Sequence, residues 1–241
     1  MKSILITGGS RGIGRAAAIT AAIRGWNVAI TYLQDEAAAH RTAEKIETHG
    51  GKSFVIQGDV SRENDVLRIF SSTLQRFGRL DGVVINAGIV APAMKLSEMD
   101  LHRLELMFKT NILGSYLCAR EAVRVMNGGS IVNVSSLAAK TGSPGEYLDY
   151  AGSKGAMDTL TIGLAKEAGP LGIRVNAVRP AFIDTEIHAF SGNPERAHIL
   201  GAQTPLGRAG TAEEVADAIV WLLSDASSYV SGALIDMAGG R

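Results

Sequence analysis

The sequence predicts an α/β fold: one open, doubly wound sheet of seven mostly parallel strands, with helices on both faces. Three observations carry this expectation. Short apolar runs recur along the chain, bounded by glycine or polar residues, as strands buried on both faces require. Alanine-rich or amphipathic stretches of helical length alternate with them, and strand–helix–strand units make right-handed parallel crossovers. A glycine-rich turn joins the first apolar run to the first helical stretch, where such sheets pass from strand to helix.

Taken in order, Ser3-Ile4-Leu5-Ile6-Thr7 is the first strand. The turn from Gly8 to Gly14 leads into a helix over 15–24, which Gly25 ends. Strand 28–32 follows, then helix 37–48, stopped by Gly50 and Gly51, then strand 54–57. Residues 65–77 read as an amphipathic helix, with Ser61 or Asn64 placed to cap it. Strand 82–86 precedes a long helix over 100–125, closed by Asn127-Gly128-Gly129. Strand 130–134 precedes a helix over 150–168, stopped by Gly169-Pro170. Strand 174–178, a helix over 213–223 after Thr211, and strand 233–236 complete the alternation. Residues 180–210 interrupt it and hold three of the six prolines. A long connection of this kind is expected to be a functional lid over a site, with a short helix near 194–200. No linker, low-complexity tract or further repeat divides the chain, so residues 1–241 are expected to form one domain of Rossmann type.

The 241 residues are 46% hydrophobic and 20% charged, enough to build a substantial core. Lysine plus arginine equals aspartate plus glutamate at 24 each, which argues against nucleic acid or an anionic membrane as partner. The single cysteine, Cys118, excludes an intrachain disulfide and reads as a buried small hydrophobe. The chain enters a strand within a few residues, with no signal peptide and no apolar run of membrane-spanning length, so a cytoplasmic protein is expected. His188 and His198 stand in the lid without a His, Cys or acid at ligand spacing, so no metal is expected. Met94, Met99, Met107, Trp26 and Trp221 read as packing residues, with Met94 also placed to line a site.

The candidate chemistry gathers at the strand ends. At the glycine turn, unpaired N–H groups and the positive helix end can hold a phosphate, and the glycines allow close approach. The spacing Gly8-x-x-x-Gly12-x-Gly14 departs from the commonest dinucleotide fingerprint, and no Gly-Lys-Ser/Thr ends it. An NAD site usually places an acid near the end of the second strand. Here Thr31-Tyr32-Leu33-Gln34 has none before Asp35, and Arg11 offers its donors to a 2′-phosphate. NADP(H) is therefore preferred, with NAD(H) as the alternative. Gly58-Asp59-Val60, Asn86-Ala87-Gly88 and Ser135-Ser136 end the third, fourth and fifth strands, along the edge where such sheets bind ligands. Tyr150 and Lys154 are four apart, so a helix puts them on one face, where an ammonium favours the phenolate. Tyr147 has Ala151 in the corresponding place.

These residues, with Asn111, Arg179-Pro180, Asp184-Thr185, Asp236 and Gly239-Gly240, resemble the single-domain short-chain dehydrogenase/reductases from residue 2 to the C-terminus. The resemblance implies Tyr150 as acid/base, Lys154 holding the nicotinamide ribose and lowering the Tyr150 pKa, and Ser136 polarising the carbonyl. It implies that Asn111 holds a water relaying protons from Lys154. The cofactor contacts it implies are Gly8, Ser10, Arg11, Gly12, Ile13, Gly14, Asp59, Val60, Asn86, Ala87, Gly88, Tyr150, Lys154, Ile183 and Thr185. Three positions depart from the family pattern: Ile85 replaces a common Asn, Ala181 a common Gly, and the spacing to Tyr150 leaves Ser135 as an alternative to the preferred Ser136. The implied activity interconverts a secondary alcohol and a ketone. A 3-oxoacyl thioester or a sugar is a possible substrate, and a homotetramer built on the helices near 100–125 and 150–168 and on the last strand is the implied assembly. A non-catalytic dinucleotide sensor is the alternative of another class.

Overall fold

A computed structural model describes residues 1–186 and 193–241. His188 and the middle of the expected lid lie outside the described residues. The elements are β1 (Ser3–Ile6), α1 (Gly12–Ile23), β2 (Asn27–Tyr32), α2 (Glu36–Thr48), β3 (Ser53–Gln57), α3 (Glu63–Phe77) and β4 (Gly82–Ile85). There follow α4 (Leu101–Phe108), a π-helical segment (Lys109–Leu113), α5 (Gly114–Val125), β5 (Gly129–Val134), α6 (Ala138–Thr141) and α7 (Leu148–Ala168). The chain continues through β6 (Ile173–Pro180), β7 (Ile183–Asp184), α8 (Arg196–Gly201), β8 (Gly210–Thr211), α9 (Ala212–Leu223) and β9 (Leu234–Met237).

Seven strands pair in the order β3-β2-β1-β4-β5-β6-β9, and each pairing is parallel. The period of two along each strand divides the core. Ile4, Ile6, Val28, Ile30 and Val84 face one layer, where Ala17 and Ala21 of α1 meet Val215 and Ile219 of α9. Leu5, Ala29, Val83, Ile85 and Ile131 face the other, against Phe70, Leu117, Cys118 and Met157 of α3, α5 and α7. Each fully buried large side chain contributes about 1.5–3 kcal/mol, so the two layers together fix the register. The strand order reverses between β1 and β4, which opens a crevice at their carboxyl ends.

Several expectations need correction. Neither Ser61 nor Asn64 caps α3: its N-cap is Arg62, with no side-chain cap bond. Asp65 fills that region instead, accepting from the Asp59 N–H at 3.0 Å and pairing with Arg68. The long helix is broken by the π segment at 109–113. The stretch 180–210 is not irregular throughout, because β7 pairs with β8 and Thr211 forms a capping box with Glu214. The short expected helix is α8. Trp26 and Met107 are buried, whereas Trp221 is 41% exposed and Met94 and Met99 are half-buried. Cys118 is buried as expected, and burial pushes its thiol up to about 12.

Candidate active site

A cleft of about 760 Å³ runs along the carboxyl ends of the strands. At one end lies the glycine turn. Gly8 and Gly12 hold φ +67° and +52°, which disfavours any side chain. A Cβ on Gly9 would lie 2.6 Å from Ile30, and one on Gly14 would strike the Gly8 carbonyl oxygen. The turn therefore lies flush on β2 and on itself. No side chain caps α1 at Arg11, so its first N–H groups face the cleft at the positive helix end. This cradle fits a pyrophosphate.

The cradle is braced from behind. Thr31 Oγ1 accepts from the Gly8 N–H at 3.0 Å. Thr7 Oγ1 accepts from the Asn86 and Ala87 N–H groups, both at 3.0 Å. Asn86 Nδ2 donates to the Thr7 and Gly8 carbonyls, both at 2.9 Å. Asn86 thus clamps the first strand's turn to the fourth strand's end. The sequence marks Thr7 only as the end of the first strand and Thr31 only as part of a strand end lacking an acid; a hydroxyl in an otherwise apolar strand is the signal for both roles. Asp59 Oδ1 accepts from the Ser61 N–H at 2.9 Å, which turns Val60 toward the cleft. Just past the end of β2, Leu33 is exposed on the cleft wall, which Arg11 also lines. Asp35 is committed to capping α2 through the Ala38 N–H at 2.8 Å.

The first turns of α7 supply the other end. Tyr150, Lys154 and Ser136 all line the cleft. Lys154 is buried, donates to the Val134 carbonyl at 2.8 Å, and sits 5.7 Å from the Tyr150 ring centroid. Burial pushes its ammonium down to about 8, opposed by Asp158. Burial also pushes the Tyr150 phenol up, and the Ser136 hydroxyl pulls the other way as hydrogen-bond partner. The expected lowering of Tyr150 by Lys154 is not met here: desolvation is the largest influence on the phenol, Ser136 is the group that opposes it, and the ammonium bonds to a carbonyl rather than to the phenol. Ser136, not Ser135, is next to Tyr150: the Ser135 hydroxyl is buried and turned onto Asp158 at 2.6 Å. A phenol, a hydroxyl and an ammonium around one space can hold a carbonyl oxygen and exchange a proton with it.

Of the sequence candidates, Gly8, Ser10, Arg11, Gly12, Ile13, Asp59, Val60, Asn86, Ala87, Gly88, Ile183 and Thr185 line this same cleft with Ser136, Tyr150 and Lys154. Gly14 and Asn111 do not. Gly14 lies beneath the turn. Asn111 is fully buried in the π segment, where its amide accepts from the Ile89 N–H at 2.8 Å and donates to the Ile89 carbonyl at 2.9 Å. A π turn at a site is a common functional irregularity, and here it aims Asn111 at the loop after β4.

Sequence reasoning missed two charged pairs beside Tyr150. Arg103 Nε donates to Asp149 Oδ2 at 2.8 Å and Arg103 Nη1 to the Pro92 carbonyl at 2.7 Å. Arg196 of α8 makes a bidentate pair with Glu146 and lies 5.1 Å from the Tyr147 ring centroid. Both pairs join residues about fifty apart, so no local spacing signals them. His198 does have an acid nearby, Asp184 at 3.5 Å, but no cluster among the described residues can hold a metal.

A family model described as Enoyl-(Acyl carrier protein) reductase matches residues 8–241. The chain is 50% identical over 247 residues, 100% of both chains, to the uncharacterized oxidoreductase YgfF of Escherichia coli (strain K12). It is 39% identical to L-rhamnose 1-dehydrogenase (NAD(P)(+)) of Sphingomonas sp. (strain SKA58), over 99% of this chain and 95% of that one. A solved short-chain dehydrogenase/reductase of Serratia marcescens, in mutant form, superposes with a TM-score of 0.92 at 33% identity, covering 99% and 97% of the two chains.

Proposed function

The chain belongs to the short-chain dehydrogenase/reductase family and is an NAD(P)-dependent oxidoreductase acting on CH–OH groups, and from that premise we propose that it is an NADP(H)-preferring enzyme interconverting a secondary alcohol and a ketone. One observation carries the reading: Tyr150, Ser136 and Lys154 surround a single cleft that continues to an anion cradle. A nicotinamide dinucleotide, when bound, supplies or accepts the hydride. Tyr150 exchanges the proton with the substrate oxygen, and Ser136 holds that oxygen in place. Lys154, whose ammonium is held by the Val134 carbonyl, would hold the nicotinamide ribose, the role that the resemblance assigns to it. Asn111 fixes the Ile89 backbone and takes the water-holding role that the resemblance assigns to it. Gly8, Ser10, Arg11, Gly12, Ile13, Asp59, Val60, Asn86, Ala87, Gly88, Ile183 and Thr185 would make the remaining dinucleotide contacts, with Gly14 shaping the turn from beneath.

The NADP preference rests on Arg11, on Leu33 where an acid would serve NAD, and on Asp35 being used as a cap. Arg11→Ala is expected to raise the KM for NADP(H) about tenfold, the value of a charge-assisted hydrogen bond, while leaving that for NAD(H) nearly unchanged. Steady-state kinetics with both dinucleotides decide this, and equal effects on the two would overturn it.

The substrate reading favours an uncharged ketone or sugar over an acyl thioester carried on an anionic partner. Arg196, which lines the cleft, is neutralised by Glu146, and Arg208, outside that lining, by Glu214, while Arg241 at the cleft lies over the Phe182 ring at 4.9 Å. NADPH-linked reduction measured across 3-oxoacyl thioesters, aldoses and small ketones tests the function. Turnover of at least one class is expected. Tight NADPH binding without turnover of any would replace this reading with that of a dinucleotide sensor. Exposed Leu106, Leu113, Tyr116 and Ile162 on α4, the π segment, α5 and α7 support a homotetramer. No helix among the described residues is long and apolar enough to cross a membrane, and we place the protein in the cytoplasm.

A further inference from the structure

Asp158 stands one helical turn beyond Lys154 on α7, on the same face. Its carboxylate is anchored from two sides. Ser135 Oγ lies 2.6 Å from Oδ1 and Arg179 Nη1 lies 3.4 Å from Oδ2. Ser135 Oγ is also 3.1 Å from the Lys154 carbonyl oxygen, and its one hydrogen goes to the closer, charged acceptor. Arg179 in turn holds Asp236 at 2.5 Å, and Asp236 pairs with Lys140 at 3.1 Å. The series runs outward from the cleft, with side chains 13%, 15%, 28% and 60% exposed from Asp158 to Lys140. None of these four residues takes part in the proton exchange described above.

We propose that Asp158 is a positioning residue of this site: its anchored carboxylate keeps the Lys154 ammonium charged, and Arg179 sets how much of that negative charge Lys154 feels. The inference deepens the proposed function, since it concerns the same lysine. The surroundings of Lys154 leave Asp158 this part. From β5 come the Val134 carbonyl, which accepts from Nζ, and Ser135. The π segment contributes Asn111 and the loop after β4 contributes Gly88, both uncharged. On α7 itself, Asp149 is committed to Arg103, and Tyr150 is the raised phenol. From β6, β9 and α6 come Arg179, Asp236 and Lys140, which are joined in series to Asp158 through Arg179. Burial drives the ammonium toward neutrality, and Asp158 is the group that opposes it.

The signs follow. A lysine that works as an ammonium loses its function as pH rises through its folded pKa. Removing the Asp158 charge lowers that pKa, whereas removing Arg179 leaves Asp158 less neutralised and raises it. Asp158→Asn is therefore expected to move the Lys154 titration midpoint about one pH unit lower, and Arg179→Gln to move it higher. The measurement is a ¹³C NMR titration of protein labelled with [ε-¹³C]lysine, the Lys154 resonance being identified by its loss in Lys154→Met. This readout needs neither substrate nor dinucleotide, so its failure is distinct from failure of the oxidoreductase reading. A loss of packing alone has no reason to produce shifts of opposite sign. Near-UV circular dichroism checks folding; if Asp158→Asn does not fold, Arg179→Gln carries the test, with Asp158→Glu expected to keep the midpoint close to the parent's. A midpoint unmoved by either neutralising substitution, or moved in the same direction by both, overturns the proposal.

Discussion

Tyr150→Phe is expected to lower kcat by about 10²–10⁴-fold, the range general acid–base catalysis supplies, while leaving dinucleotide affinity within about twofold. The substitution removes one oxygen and keeps the ring. The ring is what Lys154 approaches, at 5.7 Å, and it continues to fill the same half-buried place on the cleft wall. The lost oxygen is the hydrogen-bond partner of Ser136. Because burial holds the phenol in its neutral form past its ordinary range, the acid needed for carbonyl reduction is present throughout neutral pH. Its deletion should therefore depress reduction at every pH in that range and not merely displace the optimum. Single-turnover reduction gives the rate, and quenching of protein fluorescence by NADPH gives the affinity. Turnover within tenfold of the parent would remove Tyr150 from the chemistry. A matching loss of NADPH affinity would make it a binding residue.

The parts of this site that could be read from the sequence are those set by local spacing. Tyr150 and Lys154 are one turn apart on one helix, and the glycine turn lies between one strand and the next helix, so periodicity and backbone sterics reveal both. Strand ends could be placed because apolar runs stop there, which brought Asp59, Asn86 and Ser136 to one edge of the sheet. What spacing does not encode is the balance of burial against charge. Spacing brings Tyr150 and Lys154 to one helix face, but burial, which spacing leaves out, sets the direction in which both groups shift. The π segment was invisible for a related reason. One extra residue in a turn leaves the apolar pattern of 100–125 almost unchanged, while rotating Asn111 onto the Ile89 backbone. Contacts that cross the fold, such as Arg179 with Asp158, depend on two strands and a helix being assembled first.

The Arg103–Asp149 pair is the case where that long-range information carries the largest stability consequence. Asp149 precedes Tyr150 and its side chain is fully enclosed; Arg103 is 11% exposed. The guanidinium spans three elements, reaching both Asp149 oxygens from α4 and the Pro92 carbonyl in the loop after β4. Arg103→Met leaves an enclosed carboxylate without its counter-charge at the start of α7. That situation costs about 3–5 kcal/mol, compared with about 1 kcal/mol or less for an exposed pair such as Lys2–Asp225. In a chain of this size the melting temperature should fall by roughly 10 °C or more. The double variant Arg103→Met with Asp149→Leu removes both charges and is expected to recover most of the loss, since apolar replacement of a buried pair is often neutral or stabilising. Urea unfolding of the parent, the two single variants and the double variant completes the cycle. A loss below about 1 kcal/mol in Arg103→Met would mean that water or another group reaches Asp149. Recovery in the double variant would show instead that the pair's charges are dispensable for folding, so that its part in the active site is to hold the start of the Tyr150 helix against the loop at Pro92.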